Sequence, residues 1–409
     1  MKRSTLWKLL AALFAFSLLA AACGDSGGDG DSAGGNPPET SAAPDTSAAG
    51  AGGGGEAMGL ADVCPNPLVV QKDWLAEAEH AAFYQLIGTA GTGSEGRFEG
   101  PIGDTGVDLV ILEGGGGLGL GDGESPFSSL YTGNSKAGLT PQLAFVGTDD
   151  AIIFSKQFPV IHVVTPLDKD PQILFWDPAT YPDGFKTIDD LKAFADSGEG
   201  KIYIGNASRS YGKFLVDSGV PLDVFVEGYA GDSENFVTNG GKWLNQGYSS
   251  NEVWDFENGR QWEKPVDYVY VADLGYDKYP SVPSIRADRK DELAPCLELF
   301  VPMIQQAQVD YMNNPDMVNK IIADFNDAGY GAGFWKTPLE LNNAATKVMK
   351  EDGLVSNGTY TPDTLGDFDM SRIQNLIDIL KPGLDDRADP DVTPEKIATN
   401  EFIQEGLGL

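Results

Sequence analysis

The chain has 409 residues, with 61 Asp and Glu against 28 Lys and Arg, for a formal net charge of −33 at neutral pH. Such a surplus excludes nucleic acid as a partner, because nothing would neutralise the phosphates, although it says little about fold. With only two His and three Cys there is little for catalysis to use, and neither a cofactor nor a metal is expected.

Lys2, Arg3 and Lys8 precede an apolar run from Leu9 to Leu19, and Ala20-Ala21-Ala22 leads into Cys23. This reads as an export signal over residues 1–22. Leu19-Ala-Ala-Ala-Cys23 resembles a bacterial lipobox, which implies cleavage before Cys23 and lipidation of its thiol. The alternative, an uncleaved membrane helix, falls short of the roughly 20 apolar residues a span requires. Residues 24–58 are almost wholly Gly, Ser, Ala, Asp, Pro and Thr, so 23–60 is expected to be a flexible tether holding a monomeric domain at the outer face of the membrane. Cys64 and Cys296 remain. In an oxidising compartment they are expected to pair, the alternative being two buried free thiols.

Strand-like apolar runs recur at 68–71, 107–113, 142–147, 160–166, 172–176, 201–205, 224–227 and 266–272. Helical patterns at 76–87 and 188–196 separate several of them, which argues for parallel α/β sheets. Between 160 and 176 two strand-like runs follow each other without a helix, as expected where the chain crosses between lobes, and 266–273 reads as a return crossing. After it the pattern is mainly helical, at 295–312, 315–328, 338–351 and 371–380. The expected division is lobe 1 at 61–168 and 270–382, lobe 2 at 169–269, and an acidic tail at 383–409, whose Asp385, Asp386, Asp389 and Asp391 read as solvated.

The candidate site lies where strands end. Asp73 and Trp74 follow the first strand and suit capture of a flat amine, by a charge-assisted hydrogen bond and by stacking; otherwise Asp73 caps a helix and Trp74 joins the core. His80 and Tyr84 lie one turn apart on one face of the predicted helix, His80 serving either a ligand or helix packing. Glu113 and Gly114 end another strand. Gly114-x-Gly116-x-x-Gly119 formally matches a dinucleotide fingerprint, but without an apolar helix after it a loop over the cleft or a plain turn fits better. Thr148 and Asp149 end the strand at 143–147, to touch a ligand or to cap the helix expected from Ala151. Asn206, Ser208, Tyr211 and Glu252 are candidates to close the cleft from the second lobe.

Several of these segments together resemble a known family. They are Asp73-Trp74 with His80 and Tyr84, the strand and Gly-rich loop from 107 to Gly117, Phe145-Val-Gly147-Thr148-Asp149-Asp150, the run from Phe158 to Pro171, and Asn245-Gln-Gly247 through Glu252. They resemble extracytoplasmic substrate-binding proteins of ABC importers, in the group of nitrate, sulfonate and taurine binders and of binders of thiamine-pyrimidine precursors. Leu75-Ala76-Glu77 stands where pyrimidine-precursor binders commonly have Pro and Asn, and Val253 stands where a Pro is expected. The resemblance implies a two-lobed α/β periplasmic-binding-protein fold of type II with two interlobe crossings. It also implies a permease and an ATPase as partners and a small-molecule solute in the cleft. With Asp73, Glu113, Asp149 and Glu252 expected there and Arg209 the one obvious cation nearby, an amine-bearing or heteroaromatic solute is expected, the alternative being a nitrate-, sulfonate- or taurine-type anion held by backbone amides at helix starts. An enzyme on the same fold that uses His80, or a sensor lipoprotein, are the readings of other classes.

Overall fold

The segment Leu68–Gln71 reads Leu-Val-Val-Gln and is buried along its whole length, a pattern stable only inside a sheet covered on both faces. In the computed structural model it forms β1 at the middle of one of two sheets. The structure describes residues 58–409 apart from 116–118, 122, 230, 232–233, 260–261, 334 and 359; the export signal, Cys23 and the tether up to residue 57 lie outside the described residues.

The first sheet contains β1 with β2 (Thr92–Ser94), β3 (Arg97–Pro101), β4 (Asp108–Leu112), β5 (Leu143–Val146) and β6 (Val160–His162). The second is built from β7 (Gln172–Trp176), β8 (Ile202–Ile204), β9 (Phe225–Glu227), β10 (Leu244–Tyr248) and β11 (Asp267–Tyr270), before β12 (Val282–Arg286) returns to the first. The spatial orders are β2-β3-β4-β1-β5-β12-β6 and β11-β7-β10-β8-β9. β1 pairs in parallel with β4 and β5, so their carboxyl ends open on one edge. β8 pairs in parallel with β10 and β9, while β7 and β12 run antiparallel to their neighbours.

The chain therefore passes between the sheets twice, at 163–171 and 271–281. Arg372, in the helix Met370–Leu380, holds both passages: Nη1 donates to the Asp168 carbonyl at 2.6 Å and Nη2 to the Lys278 carbonyl at 2.8 Å. The guanidinium also lies 3.9 Å from the centre of the Tyr279 ring.

Of the segment 266–273, expected as the return crossing, Asp267–Tyr270 is strand β11 at the edge of the second sheet, and the crossing begins only after it, at 271. β12 and the β2–β3 hairpin were not expected. The pattern over 76–87 is not one helix: a 3₁₀ turn, Ala78–His80, precedes the α-helix Ala81–Ile87, and Glu77 ahead of it is extended. The residues from 383 onward also differ from a solvated tail. The helix Pro394–Ile397 packs against the first lobe, Ile397, Ala398 and Phe402 are buried, and Ala398 bridges to His162 of β6. Asp385 does stay at the surface, paired with Arg387.

The long helix Lys290–Asn313 lies against Ala81–Ile87 through Leu297, Phe300, Val301 and Ile304. Its Cys296 is bonded to Cys64, with Cα atoms 4.7 Å apart across 232 residues of sequence. Among the described residues no helix is long and apolar enough to cross a membrane.

Candidate functional site

At the carboxyl end of β1 the chain turns through Lys72-Asp73-Trp74 and is held by the loop after β4. Gly114 N–H donates to the Trp74 carbonyl at 2.9 Å and Gly115 N–H to that of Asp73 at 3.1 Å. The approach leaves no room for a side chain, since a Cβ on Gly114 would lie 2.4 Å from the Lys72 carbonyl oxygen and from the Asp73 carbonyl carbon. The Asp73 carboxylate contacts His80 Nε2 at 3.1 Å and accepts from Ser281 Oγ at 2.6 Å. Burial pushes this carboxyl up, but His80 and Ser281 outweigh it and hold it below the usual range.

Asp73 and Trp74 form one wall of a cleft of 290 Å³ between the two sheets. Glu77 and Trp335 complete that wall. The Trp335 indole N–H donates to the Ala76 carbonyl at 3.1 Å, and its ring meets Trp74 edge to face with centroids 5.8 Å apart. The facing wall comes from the second sheet, with Tyr229, Gln246, Tyr248, Asn251 and Glu252. Glu252 is fixed there by Tyr229 Oη, which donates at 2.8 Å, and by the Tyr248 backbone N–H at 2.6 Å. Among the described lining residues there is no Lys or Arg.

The sequence candidates divide into two groups. Asp73, Trp74 and Glu252 line the cleft, and His80 lies behind Asp73, fully buried. Tyr84 and Glu113 do not reach it: both are in the interior with Lys72, whose Nζ is 3.0 Å from Glu113 Oε1 and from Tyr84 Oη. Thr148 is buried and donates to the Tyr279 carbonyl, and the helix begins at Thr148 rather than Ala151. Asp149 faces the second crossing, 3.3 Å from Lys278 Nζ. Asn206 and Ser208 are exposed on the loop after β8, and Tyr211 donates to Gln246 Oε1 at 2.5 Å from behind the lining. Gly114 acts as the support of Asp73 and Trp74.

The expected charge balance changes accordingly. Glu113 is neutralised by Lys72 and Asp149 by Lys278, two cations the sequence reading did not count, while Arg209 sits exposed 3.9 Å from Asp150. The acids on the cleft are Asp73, Glu77 and Glu252. Glu77 was hidden inside a run read as helix, and Trp335 lies so far along the chain that nothing local marks it. Burial, with Glu79 and Asp73 as like charges, pushes the Glu77 carboxyl well above the usual range.

No family model matches the chain, and no curated protein does. Among solved structures, a protein of Bordetella bronchiseptica RB50 superposes with a TM-score of 0.51 at 12% identity, over 83% of this chain and 96% of that one. The alkanesulfonate-binding protein SsuA of Xanthomonas axonopodis pv. citri, bound to MOPS, gives 0.49 at 10% identity, over 82% and 99%. The nitrate-binding protein NrtA of Synechocystis PCC 6803 gives 0.48 at 12%, over 83% and 88%. At such identities the likeness is one of fold. Two α/β sheets, the second inserted in the first through two crossings, decide which. The fold is that of the periplasmic binding proteins. In a binding-protein fold the carboxyl ends of parallel strands frame the interlobe space, and here the turn after β1 and the segment after β10 supply the facing walls.

Proposed function

We propose that the protein is the solute-binding component of an ABC importer, capturing a small amine-bearing or heteroaromatic solute between its lobes and handing it to a permease driven by an ATPase. One observation carries the reading: both walls of the cleft present carboxylates and aromatic rings, and no basic side chain lines it among the described residues. Trp74 stacks on the solute, Asp73, oriented by His80, accepts from its amine, and Glu252 meets it from the second lobe. The lobe built on the first sheet and the lobe built on the second, residues 172–270, close by rotation about the two crossings. Nitrate or a sulfonate would meet walls of its own sign and is disfavoured. A lipid on Cys23 would keep the domain at the outer face of the membrane. Such a protein needs a cleft that closes and no catalytic group.

Native mass spectrometry of the protein purified from its own host tests this through the small molecule it carries. Trp74→Ala is expected to weaken binding of that molecule by about 1 to 3 kcal/mol, the scale of a stacked ring. Unchanged affinity would remove the stacking role, and a protein that neither carries nor binds any small molecule would remove the reading.

A further inference from the structure

We propose that Glu77 is the counter-ion of the bound solute, so that the cleft selects an organic cation, a protonated amine or quaternary ammonium on an apolar or flat body, over a neutral molecule of the same shape. This rests on the reading of the cleft as the solute site.

The three cleft carboxylates are not equivalent. Asp73 is engaged by His80 and Ser281, and Glu252 by Tyr229 and the Tyr248 backbone. Glu77 is 95% buried, yet it accepts no hydrogen bond from any described residue; its nearest partner is His80 Nδ1 at 3.8 Å. Its backbone explains why it faces the cleft. Extended at φ −156° and ψ 168°, it precedes the 3₁₀ turn instead of lying on a helix face. A carboxylate this buried with no donor among the described residues is costly to keep charged. A ligand that brings a positive charge offsets that cost.

The surrounding rings favour the same class. Trp74 and Trp335 stand nearly perpendicular, 85° between planes, and Tyr229 and Tyr248 face them from the other lobe. Ring faces attract a cation and tolerate its apolar substituents, and among the described residues no group of three or more His, Cys, Asp or Glu side chains is placed to hold a metal ion.

Charge neutralisation also predicts a proton linkage. The groups facing Glu77 are Glu79 and His80 of the same turn, Lys72 and Asp73 after β1, and Tyr248 and Glu252 of the second lobe. Burial, then Glu79 and Asp73, raise the Glu77 carboxyl, with Lys72 opposing. A bound cation opposes that rise, so capture is expected to favour the ionised carboxyl and to be linked to proton release.

The test is a thermal-shift and calorimetric comparison of matched probes on the whole protein: choline against 3,3-dimethylbutan-1-ol, benzylamine against benzyl alcohol, and benzyltrimethylammonium, with taurine as the anion. The cations are expected to stabilise the protein and their neutral partners not. Cation affinity should fall as pH is lowered through the Glu77 titration, and heats measured in buffers of different ionisation enthalpy should report proton release. Glu77→Gln should weaken the cations by about tenfold or more and flatten the pH profile. Its melting curve checks folding, and the wild-type pH profile tests the proposal without any variant. Neutral partners or taurine binding as well as the cations, no cation binding, or an unchanged Glu77→Gln would each overturn it. A neutral solute found by native mass spectrometry would overturn it too while leaving solute capture intact.

Discussion

Lys72 Nζ lies 3.0 Å from Glu113 Oε1, and neither side chain is exposed. The pair sits directly under the turn that carries Asp73 and Trp74, with Tyr84 Oη donating to the same carboxylate oxygen at 3.0 Å. Removing one partner strands the other charge in the interior. Lys72→Met is therefore expected to destabilise the protein by about 3 to 5 kcal/mol, and Lys72→Met with Glu113→Leu to recover most of it. Urea denaturation of the two singles and the double decides this; a double variant as weak as the sum of the singles would show that the groups are not coupled.

His162 gives the protein an acid-sensitive core. Ser284 Oγ donates to the Val282 carbonyl at 2.6 Å and so accepts from His162 Nδ1 at 2.7 Å, leaving the ring neutral with Nε2 as its bare nitrogen. Burial pushes its pKa down to about 3. An unfolded His titrates near 6.5, so between these values the unfolded chain binds the extra proton. Stability is expected to fall as pH drops below about 6.5, by up to ~1.4 kcal/mol per pH unit from this residue. Comparing wild type with His162→Gln from pH 7 to 5 isolates the contribution; parallel curves would assign the acid sensitivity to other groups.

The disulfide encloses the entire second lobe in its loop. Cys296→Ser is expected to lower stability by roughly 5 kcal/mol on a chain-entropy account, less any compensating structure in the unfolded chain. Denaturation with and without reductant measures it, and a reductant-insensitive midpoint would contradict it.

Glu79 and Ser250 form a buried hydrogen bond from one lobe to the other. Tyr268 and Tyr270 of β11 add a second tie to Asp352, at 2.8 and 2.6 Å. Ser250→Ala leaves Glu79 without its donor and is expected to shift the lobes toward an open state by about 1 to 3 kcal/mol. Small-angle scattering should show a larger radius of gyration without ligand. No change would mean that the Glu79–Ser250 bond does not hold the lobes together.

How far the sequence can be read follows from what each element buries. β1, β4, β5, β7 and β8 are apolar runs because both faces are covered, and they can be found without a partner in view. β12 reads Val-Pro-Ser-Ile-Arg, with a residue that donates nothing and two polar ones, and only its place between β5 and β6 makes it a strand. In the cleft, Asp73, Trp74 and Glu252 are legible because they end strands. Glu77 is not, because three-residue turns leave no periodicity, and neither are the cations: Lys72 and Lys278 neutralise carboxylates 41 and 129 residues away, Glu113 and Asp149.

The bond between Cys64 and Cys296 also sets a path for mechanical load. A pull on the chain ahead of Cys64 reaches the cross-link four residues before β1 begins and passes sideways into the long helix Lys290–Asn313. The ladder joining β1 to β4 and β5, whose far end carries Asp73 and Trp74, is left out of that path. A domain tugged from its leading end would yield in the helix packing before its cleft was distorted, and a reduced one would transmit the same tug straight to the ligand wall.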